Sequence, residues 1–214
     1  MNVRFRLAAM PRVSDEHRER RRQQILDAAR RCFVRQGFHQ TSMADIFTEA
    51  GLSAGAVYGY FKGKNEIIAA IAEHVIGHIT AMLEPIVDRD PPAALHEAIR
   101  EGLRSTEALA FGEDGFARLA PQVWAEALRD PNLAAVVHER YQVIHGLITQ
   151  LVVAEQATGH VAADANPAEV AKVLVGAIMG YIVQRLLIDN VKPDSYADGL
   201  AALVGSGPGG RLPA

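Results

Sequence analysis

The chain has 214 residues, of which 49% are hydrophobic and 22% are charged, so it can bury a sizeable core in one large or two small domains. Its single cysteine, Cys32, excludes an intrachain disulfide framework and fits a reducing cytoplasm. The formal net charge of −3 hides an asymmetry: residues 1–64 carry 12 lysines and arginines against 6 acidic residues, whereas residues 65–214 carry 10 against 19. One end of the chain therefore attracts polyanions and the rest repels them.

Residues 1–13 show no helical pattern and are interpreted as a flexible arm. The apolar run at 7–10 is too short for the core of an export signal. Two further interpretations stay open for this arm. In the first, Met10 is the native start. In the second, Arg4, Arg6 and Arg12 reach into a minor groove of DNA.

A helix is predicted from residue 14 to residue 36, with Ser14 or Asp15 as its N-cap and Gly37 as its end. A cluster of arginines in its first turns opposes the helix dipole: Arg18, Arg20, Arg21 and Arg22. A polyanion partner explains this cluster better than helix stability does, although a solvated helix face is the alternative.

The stretch 41–64 reads TSMADIFTEAGLSAGAVYGYFKGK and contains two short periodic segments, 43–50 and 54–61. Between them, Gly51 can adopt the left-handed conformation that ends the first helix. Helix, three-residue turn and helix together predict a helix-turn-helix unit, whose second helix lies in the major groove of DNA.

Both short segments carry signals for helix starts. Ser42 and Asp45 form a capping-box pattern, and Ser53 is a natural N-cap for the second segment. The second helix has a nearly bare outward side, which would allow it to approach base edges closely.

The residues AGLSAGAVYGYFKGK resemble the recognition helix of the tetracycline-repressor (TetR) family, whose pattern is roughly A-G-[VL]-S-x-G-x-[LV]-Y-x-[HY]-F-x-x-K. The resemblance implies that Tyr58, Tyr60 and Lys64 contact phosphates and that the start of the recognition helix faces bases. The predicted DNA-binding residues are Thr41, Ser42, Ala44, Ser53, Ala54, Gly55, Ala56, Tyr58, Tyr60 and Lys64. Two positions depart from the family pattern: Phe47 replaces a small alanine, and Gly59 replaces a larger residue, which lowers helix propensity by about 1 kcal/mol.

Beyond residue 64 the sequence predicts further helices and no sheet. They span 65–87, 93–111, 116–129, 130–157, 167–189 and 194–204, and a flexible tail follows at 205–214. The predicted fold class is therefore all-α, with about nine to ten helices. A three-helix helix-turn-helix domain at 14–64 precedes a larger helical domain for ligand binding and dimerisation at 65–204.

No catalytic, metal or cofactor site is predicted. His74 and His78 lie one helical turn apart, but no carboxylate or thiolate lies beside them in sequence to complete a metal site. The sequence also lacks a nucleophile-elbow serine, a phosphate loop and paired carboxylates in a glycine-rich setting, so an enzyme is not predicted.

The run 173–183 has no charged residue and lies inside the helix 167–189. It is too short to span a bilayer, so no membrane partner is predicted. A single helix-turn-helix reads only a few base pairs, and a dimer places two of them about 34 Å apart on a palindromic site. This run and the helix 194–204 are predicted to form a four-helix dimer interface, as the resemblance also implies, with a central core helix as the alternative. The predicted interface residues are Val173, Gly176, Ala177, Gly180, Gln184 and Leu187.

The resemblance further implies that the helices of residues 65–157 enclose a small-molecule pocket. Its candidate residues suit a mostly apolar ligand with a few orienting hydrogen bonds: Phe111, Phe116, Arg118, Gln122, Trp124, Tyr141, His145, Met179 and Tyr181. These predictions describe a cytoplasmic, homodimeric repressor that a small effector releases from a palindromic operator. The alternative is a DNA-binding activator or architectural protein without a small ligand.

Overall fold

The computed structural model describes residues 15–90, 93–111, 115–159, 161–188 and 191–205, and these ranges contain helices and no strand. The elements are α1 (Asp15–Gln40), α2 (Met43–Ala50), α3 (Ala54–Tyr58), α4 (Lys64–Val87), α5 (Leu95–Ala110), a 3₁₀ helix (Phe116–Leu119), α6 (Ala120–Ala127), α7 (Pro131–Thr158), α8 (Pro167–Leu187) and α9 (Pro193–Gly205). The all-α prediction is confirmed for this part of the chain. The predicted arm at 1–13 with Met10 and its arginines, Ser14 and the tail from 206 lie outside the described residues.

Two predicted boundaries shift in the first domain. α1 continues to Gln40, but Gly37 within it has φ 80° and ψ 168°, so the helix is interrupted where its end was predicted. α3 ends at Tyr58, three residues earlier than predicted, because the chain tightens into a turn at Gly59. The low helix propensity of glycine favours this early end.

The first three helices and the start of α4 share one core, whose fully buried members include Phe33, Ile46 and Val57. Burying each such side chain stabilises the fold by about 1.5–3 kcal/mol. The same cluster includes Leu119 and Val123 from the 3₁₀ helix and α6. The first domain therefore packs directly on the helical body.

In the helical body, α4 packs along α7, α7 along α8, and α5 along α9. Two predicted helix starts are confirmed. The Asp130 carboxylate accepts hydrogen bonds from the N–H groups of Asn132 and Leu133 at 2.9 and 3.3 Å, and the Asn166 side chain accepts from the N–H of Ala168 at 3.0 Å. Each cap is followed by a proline at the first helical position, where its missing N–H costs nothing.

By length and composition alone, α4 and α8 are each apolar enough to cross a membrane, with mean hydropathies of 1.4 and 1.6 over 18 residues. Core helices of helical domains have the same composition. Both helices lie in one bundle with α7, and α8 carries charged side chains in ion pairs, Lys172 with Glu169 and Arg185 with Glu107. Packing within the bundle buries part of their apolar surface, and α8 leaves Val173 and Leu187 exposed.

Candidate DNA interface and effector cavities

The start of α2 is fixed by a reciprocal pair of hydrogen bonds. The Ser42 hydroxyl accepts from the N–H of Asp45 at 3.2 Å, and the Asp45 carboxylate accepts from the N–H of Ser42 at 2.8 Å, which confirms the capping box. The hydrogen bonds that Ser42 donates hold the pKa of the Asp45 carboxyl below its usual value. At the other end Gly51 has φ 64°, and its N–H bonds to carbonyls of the last turn. Local sequence therefore sets both ends of α2.

The solvent-facing side of α3 begins with small side chains. The Ser53 hydroxyl caps it by accepting from the N–H of Ala56 at 3.3 Å. Ala54 and Gly55 are exposed, and a Cβ added at Gly55 would meet no atom within 4 Å. Val57 is fully buried and anchors the opposite side of the helix. The start of α3 can therefore approach another surface closely.

Phe47, one of the two residues that depart from the family pattern, packs against Tyr58. Their ring centroids are 5.4 Å apart at 70°, in an edge-to-face contact between α2 and α3. Such pairs contribute about 0.5–1.5 kcal/mol beyond the area they bury. Tyr58 is 50% exposed, so its ring is held at one side while the rest faces solvent.

The prediction that Thr41 contacts DNA is wrong. Its side chain is 1% exposed, and its hydroxyl donates to the carbonyl of Gly37 at 2.8 Å. Thr41 instead closes the end of α1 from inside the domain.

The ammonium group of Lys64 donates to the carbonyls of Phe38 and Thr41 at 2.6 and 3.1 Å. These carbonyls lie at the end of α1, so Lys64 ties the first residue of α4 to that end. An ammonium group has three donors, which leaves one for a phosphate. The remaining predicted contacts on α2 and α3 are exposed or half-buried: Ser42, Ala44, Ser53, Ala54, Gly55, Ala56, Tyr58 and Tyr60.

Several arginines of α1 are paired with acidic residues at the surface. Arg20 contacts Glu16 at 2.7 Å, and Arg31 and Arg35 contact Glu49 at 2.7 and 3.3 Å. The hydrogen bond from Arg31 lowers the pKa of the Glu49 carboxyl below its usual value. Exposed ion pairs contribute little, typically about 0–1 kcal/mol, so a phosphate can replace the carboxylate partner.

Gln122, predicted in the pocket, joins the two domains instead. Its Oε1 accepts from the N–H of Phe38 at 3.0 Å. A second link runs between Asn65 at the start of α4 and Asp130 at the start of α7, where the amide donates to the carboxylate at 3.0 Å. The pocket prediction for Gln122 is wrong because its amide is used at the end of α1.

Two apolar cavities of about 50 Å³ each lie among the described helices of the body. The first lies among α4, α5, α7 and α8 and is lined by Ile79, Met82, Leu83, Leu95, Ala98, Ile99, Gly102, Leu103, Thr106, Ile148, Leu151, Leu174 and Ile178. The second lies among α4, the 3₁₀ helix, α6, α7 and α8 and is lined by Ile71, Ala72, Val75, Ile76, Ile79, Phe116, Ala117, Leu119, Ala120, Val123, Trp124, Tyr141 and Ile182. Ile79 belongs to both walls, so the two cavities are neighbours.

Three predicted pocket residues, Phe116, Trp124 and Tyr141, line the second cavity. The indole N–H of Trp124 donates to the Tyr141 hydroxyl at 3.0 Å, and burial raises the pKa of that hydroxyl. Arg118 is exposed, and neither His145 nor Met179 lines a body cavity. These two cavities therefore do not include the three residues, whose place in an effector pocket stays a prediction. Most of the residues that line the two cavities are aliphatic, and sequence patterns do not distinguish them from ordinary core.

Phe111 and Tyr181 belong to a polar cluster between α5 and α8. The Tyr181 hydroxyl donates to Glu107 at 2.6 Å, Arg185 pairs with the same carboxylate at 3.1 Å, and its guanidinium lies 5.2 Å from the Phe111 ring centre. Burial and the neighbouring carboxylate raise the pKa of Tyr181. Because the tyrosine is fully buried and its hydroxyl is satisfied, it braces two helices and lines neither body cavity.

The predicted dimer face on α8 contains unusually exposed apolar side chains. Val173 is 72% exposed and Leu187 is 80% exposed, and a Cβ at Gly176 would meet no atom within 4 Å. Ala177, Gly180 and Gln184 are half-buried. Gly180 is approached closely by α9 of the same chain, because an added Cβ would lie 3.5 Å from the hydroxyl of Tyr196.

Two family models match this chain. The model for bacterial regulatory proteins of the tetR family matches residues 25–71, and the model for the BetI-type transcriptional repressor C-terminal domain matches residues 91–206. The HTH-type transcriptional regulator UidR of Escherichia coli (strain K12) is 28% identical over 186 residues, which cover 86% of this chain and 91% of UidR.

Solved structures share the fold. GusR of Salmonella enterica superposes with a TM-score of 0.72 at 24% identity, covering 90% of this chain and 96% of GusR. A complex of SmeT with triclosan superposes with a TM-score of 0.68 at 25% identity, covering 91% of this chain and 100% of SmeT. SmeT is the repressor of the Stenotrophomonas maltophilia multidrug efflux pump SmeDEF.

Proposed function

This chain belongs to the tetR family of bacterial regulatory proteins, and we propose that it represses transcription as a cytoplasmic homodimer that a small, largely apolar effector releases from a palindromic operator. The observation that carries this function is the exposed, bare start of α3, capped by Ser53 and set against a capped α2. A helix shaped in this way can enter a major groove with little steric hindrance.

DNA reading rests on apolar contact, backbone approach and DNA shape. Ala54, Gly55 and Ala56 offer no side-chain hydrogen bonds, and their small size suits contact with thymine methyl groups. Tyr58, which is exposed, and Lys64 hold phosphates on either side and set the register of α3. Tyr60, Ser42, Ala44 and Ser53 add contacts around this centre.

A dimer supplies the second half-site. The exposed apolar side chains on α8 and α9, among them Val173, Leu187 and Leu203, support an interface made by these helices from two copies. Large apolar side chains left in water are the usual mark of such a surface. The dimer would hold two α3 helices about 34 Å apart, as adjacent major grooves require.

The effector site is the region of the two body cavities that share Ile79. Each cavity holds about 50 Å³, whereas sites for drug-sized ligands hold roughly 300–1,000 Å³, so an effector must widen them. Widening displaces α4, whose first residue, Lys64, is tied to the end of α1. A ligand that binds the widened form better shifts the population toward it. Coupling of about 1–3 kcal/mol would weaken operator affinity roughly 5–150-fold.

Selection of bound sequences from random DNA with the purified protein tests DNA reading. We expect a palindrome with half-sites one helical turn apart. Release of the selected operator is then measured by fluorescence anisotropy with triclosan and with aliphatic and aromatic compounds of similar size. A selected sequence without two-fold symmetry would contradict the dimer model. Operator binding that no apolar compound weakens would favour a regulator without an effector.

A further inference from the structure

The two body cavities lie end to end along the helical bundle. α4 lines the second cavity with residues between Ile71 and Ile79, and the first cavity with residues between Ile79 and Leu83. α7 repeats this order, with Tyr141 at the second cavity and Leu151 at the first. A helix rises about 1.5 Å per residue, so the stretch of α4 from Ile71 to Leu83 gives the two cavities a joint length of roughly 18 Å. A chain-like ligand follows this path better than a compact one.

The two cavities offer no partner for a charged group. Among the described residues that line them there is no aspartate, glutamate, lysine, arginine or histidine. Moving an ionised carboxylate or ammonium group from water into such surroundings is costly, because no opposite charge offsets the lost hydration. An occupant of both cavities is therefore uncharged.

One hydrogen-bonding pair lies in the wall of the second cavity. The indole N–H of Trp124 donates to the Tyr141 hydroxyl at 3.0 Å, and both residues line this cavity. A phenolic hydroxyl can also donate, and the described residues provide no acceptor for the Tyr141 hydrogen. Burial raises the pKa of this hydroxyl, so it keeps its proton at neutral pH. Tyr141 can therefore donate one hydrogen bond to an oxygen atom of a ligand.

The first cavity is the more uniformly aliphatic of the two. Thr106 contributes the one side-chain hydroxyl in its described lining, and the other lining residues are glycine, alanine, leucine, isoleucine and methionine. This cavity suits a hydrocarbon chain, whereas the second cavity suits the oxygen-bearing end of the same molecule.

We propose that the body cavities bind an uncharged molecule with a straight aliphatic chain and an oxygen atom at one end, such as an alcohol, an aldehyde or an ester. Its oxygen accepts from the Tyr141 hydroxyl, and its chain passes Ile79 into the first cavity. The role of this molecule as an effector rests on the proposed function, whereas its binding does not.

Four probes with eight carbon atoms test the charge and the shape of the ligand: octan-1-ol, octanoate, octylamine and cyclooctanol. Trp124 is the only tryptophan of the chain, so its fluorescence reports occupancy of the second cavity in the absence of DNA. At about pH 7, where the acid and the amine are ionised, we expect octan-1-ol to bind at least roughly tenfold more tightly than each of the other three. Octanoate, octylamine or cyclooctanol binding as tightly as octan-1-ol would overturn the proposal.

A matched pair of glycine variants tests the path into the first cavity. Gly102 lines this cavity, and an added Cβ would lie 3.6 Å from the Leu83 side chain, which is ordinary contact. Gly102→Leu therefore fills space in the first cavity. Gly146→Leu makes the same change at an exposed position of α7, where an added Cβ would meet no atom within 4 Å.

The length of the alcohol separates the two cavities. In the parent protein each methylene added between hexan-1-ol and decan-1-ol should raise affinity roughly fourfold. Gly102→Leu should reduce affinity for decan-1-ol at least roughly tenfold and leave that for hexan-1-ol unchanged, whereas Gly146→Leu should match the parent for both. An unchanged affinity of Gly102→Leu for decan-1-ol, or an equal loss for both alcohols, would contradict a chain that passes Ile79.

Tyr141→Phe tests the hydrogen bond at the other end. We expect affinity for octan-1-ol to fall roughly fivefold, while affinity for octane, which has no oxygen, stays unchanged. An equal fall for octane would mean that Tyr141 acts by packing and would refute the assigned contact. Release of the operator by octan-1-ol is measured separately by fluorescence anisotropy. Binding without release would contradict the proposed function and leave the assigned ligand class standing.

Discussion

The DNA-binding unit and the helical body are each stabilised by contacts within themselves, and these contacts span different distances along the chain. In the unit, helix ends are set by residues three or four positions apart, as in the pair Ser42 and Asp45. In the body, side chains far apart in sequence join the helices, as in the ion pair of Arg104 with Asp194 and the hydrogen bond of Tyr181 to Glu107. A reading head needs one fixed shape, whereas a sensing domain needs packing that a ligand can rearrange.

The two regions share one core cluster and are also joined by hydrogen bonds. Lys64 and Gln122 both bind backbone groups at the end of α1, one from the first residue of α4 and the other from α6. We expect these contacts to transmit movement of the body to the reading unit. Substitutions can therefore test three features separately. These are the dimer that spaces two DNA-binding units, the bridge formed by Lys64 and Gln122, and the local helix caps.

Breaking the dimer should have the largest effect. Glutamates at both Val173 and Leu187 would place charges on the exposed apolar face of α8, and burying unpaired charges is costly. We expect a monomer in size-exclusion chromatography with light scattering and operator affinity roughly 100-fold lower, because only one half-site can be held. Leu128→Glu, at an 89% exposed position outside α8, is the control and should leave both properties unchanged. A dimer that survives the double substitution would contradict the interface.

The bridge at Lys64 should have the next largest effect. Lys64→Met removes both hydrogen bonds to the end of α1, and we expect the free energy of unfolding in urea to fall by about 1–3 kcal/mol. Operator affinity should fall as well, with a lower salt dependence, because the charge is lost. Lys62→Met also removes one charge, but from an exposed side chain, and should weaken DNA binding without lowering stability. Equal stability of the two variants would show that the tie contributes nothing.

Gln122 tests the same bridge from the body side. Gln122→Leu leaves the N–H of the buried Phe38 without its acceptor, and we expect a loss of about 1 kcal/mol in unfolding free energy. Amide hydrogen exchange at Phe38 should accelerate. Gln122→Glu keeps an oxygen at this position and should protect the amide. If the amide exchanges equally fast in both variants, the bond does not hold the domains.

A smaller effect is expected at Tyr58, within the reading unit. Tyr58→Phe keeps the edge-to-face contact with Phe47 and removes only the hydroxyl. Operator affinity should fall by about 1 kcal/mol, roughly fivefold, by a similar factor for all DNA sequences. Thermal stability should stay unchanged, whereas Phe47→Ala should lower it. A loss confined to one base position in fluorescence anisotropy would contradict the phosphate role.

In both regions, how far the structure could be predicted depends on the distance along the chain between the residues in contact. The caps at Ser42, Ser53 and Asp130 were predictable because a short polar side chain acts on N–H groups two or three residues away. The burial of Thr41 was not, because it depends on the path of α1 after Gly37. Similarly, the hydrogen bond between Gln122 and Phe38 was not predictable, because the two residues lie 84 positions apart in the chain.

The effector region was the hardest to locate from sequence. The aromatic and polar residues among aliphatics are the pocket candidates in the sequence, and three of them, Phe116, Trp124 and Tyr141, do line a cavity. The larger part of both walls is isoleucine, leucine, valine and alanine, which have the same periodicity as packed core. A cavity is the space that side chains from distant segments of the chain leave unfilled when they pack. No local sequence pattern predicts it.

The smallest effect is expected at Asp45, where the local cap itself is tested. The pKa of this carboxyl is lowered in the folded protein, so its contribution to stability is present above its unfolded value of about 3.9 and is lost as the pH falls through the folded pKa. Asp45→Asn should therefore lower the melting temperature at neutral pH, and the difference from the parent should shrink as the solution is acidified. Asp164→Asn, an exposed aspartate in the loop before α8, serves as the control for removing a charge. If the difference in melting temperature between Asp45→Asn and the parent stays unchanged in acid, the charge of Asp45 does not stabilise α2. Packing would then stabilise α2, as it stabilises the body helices.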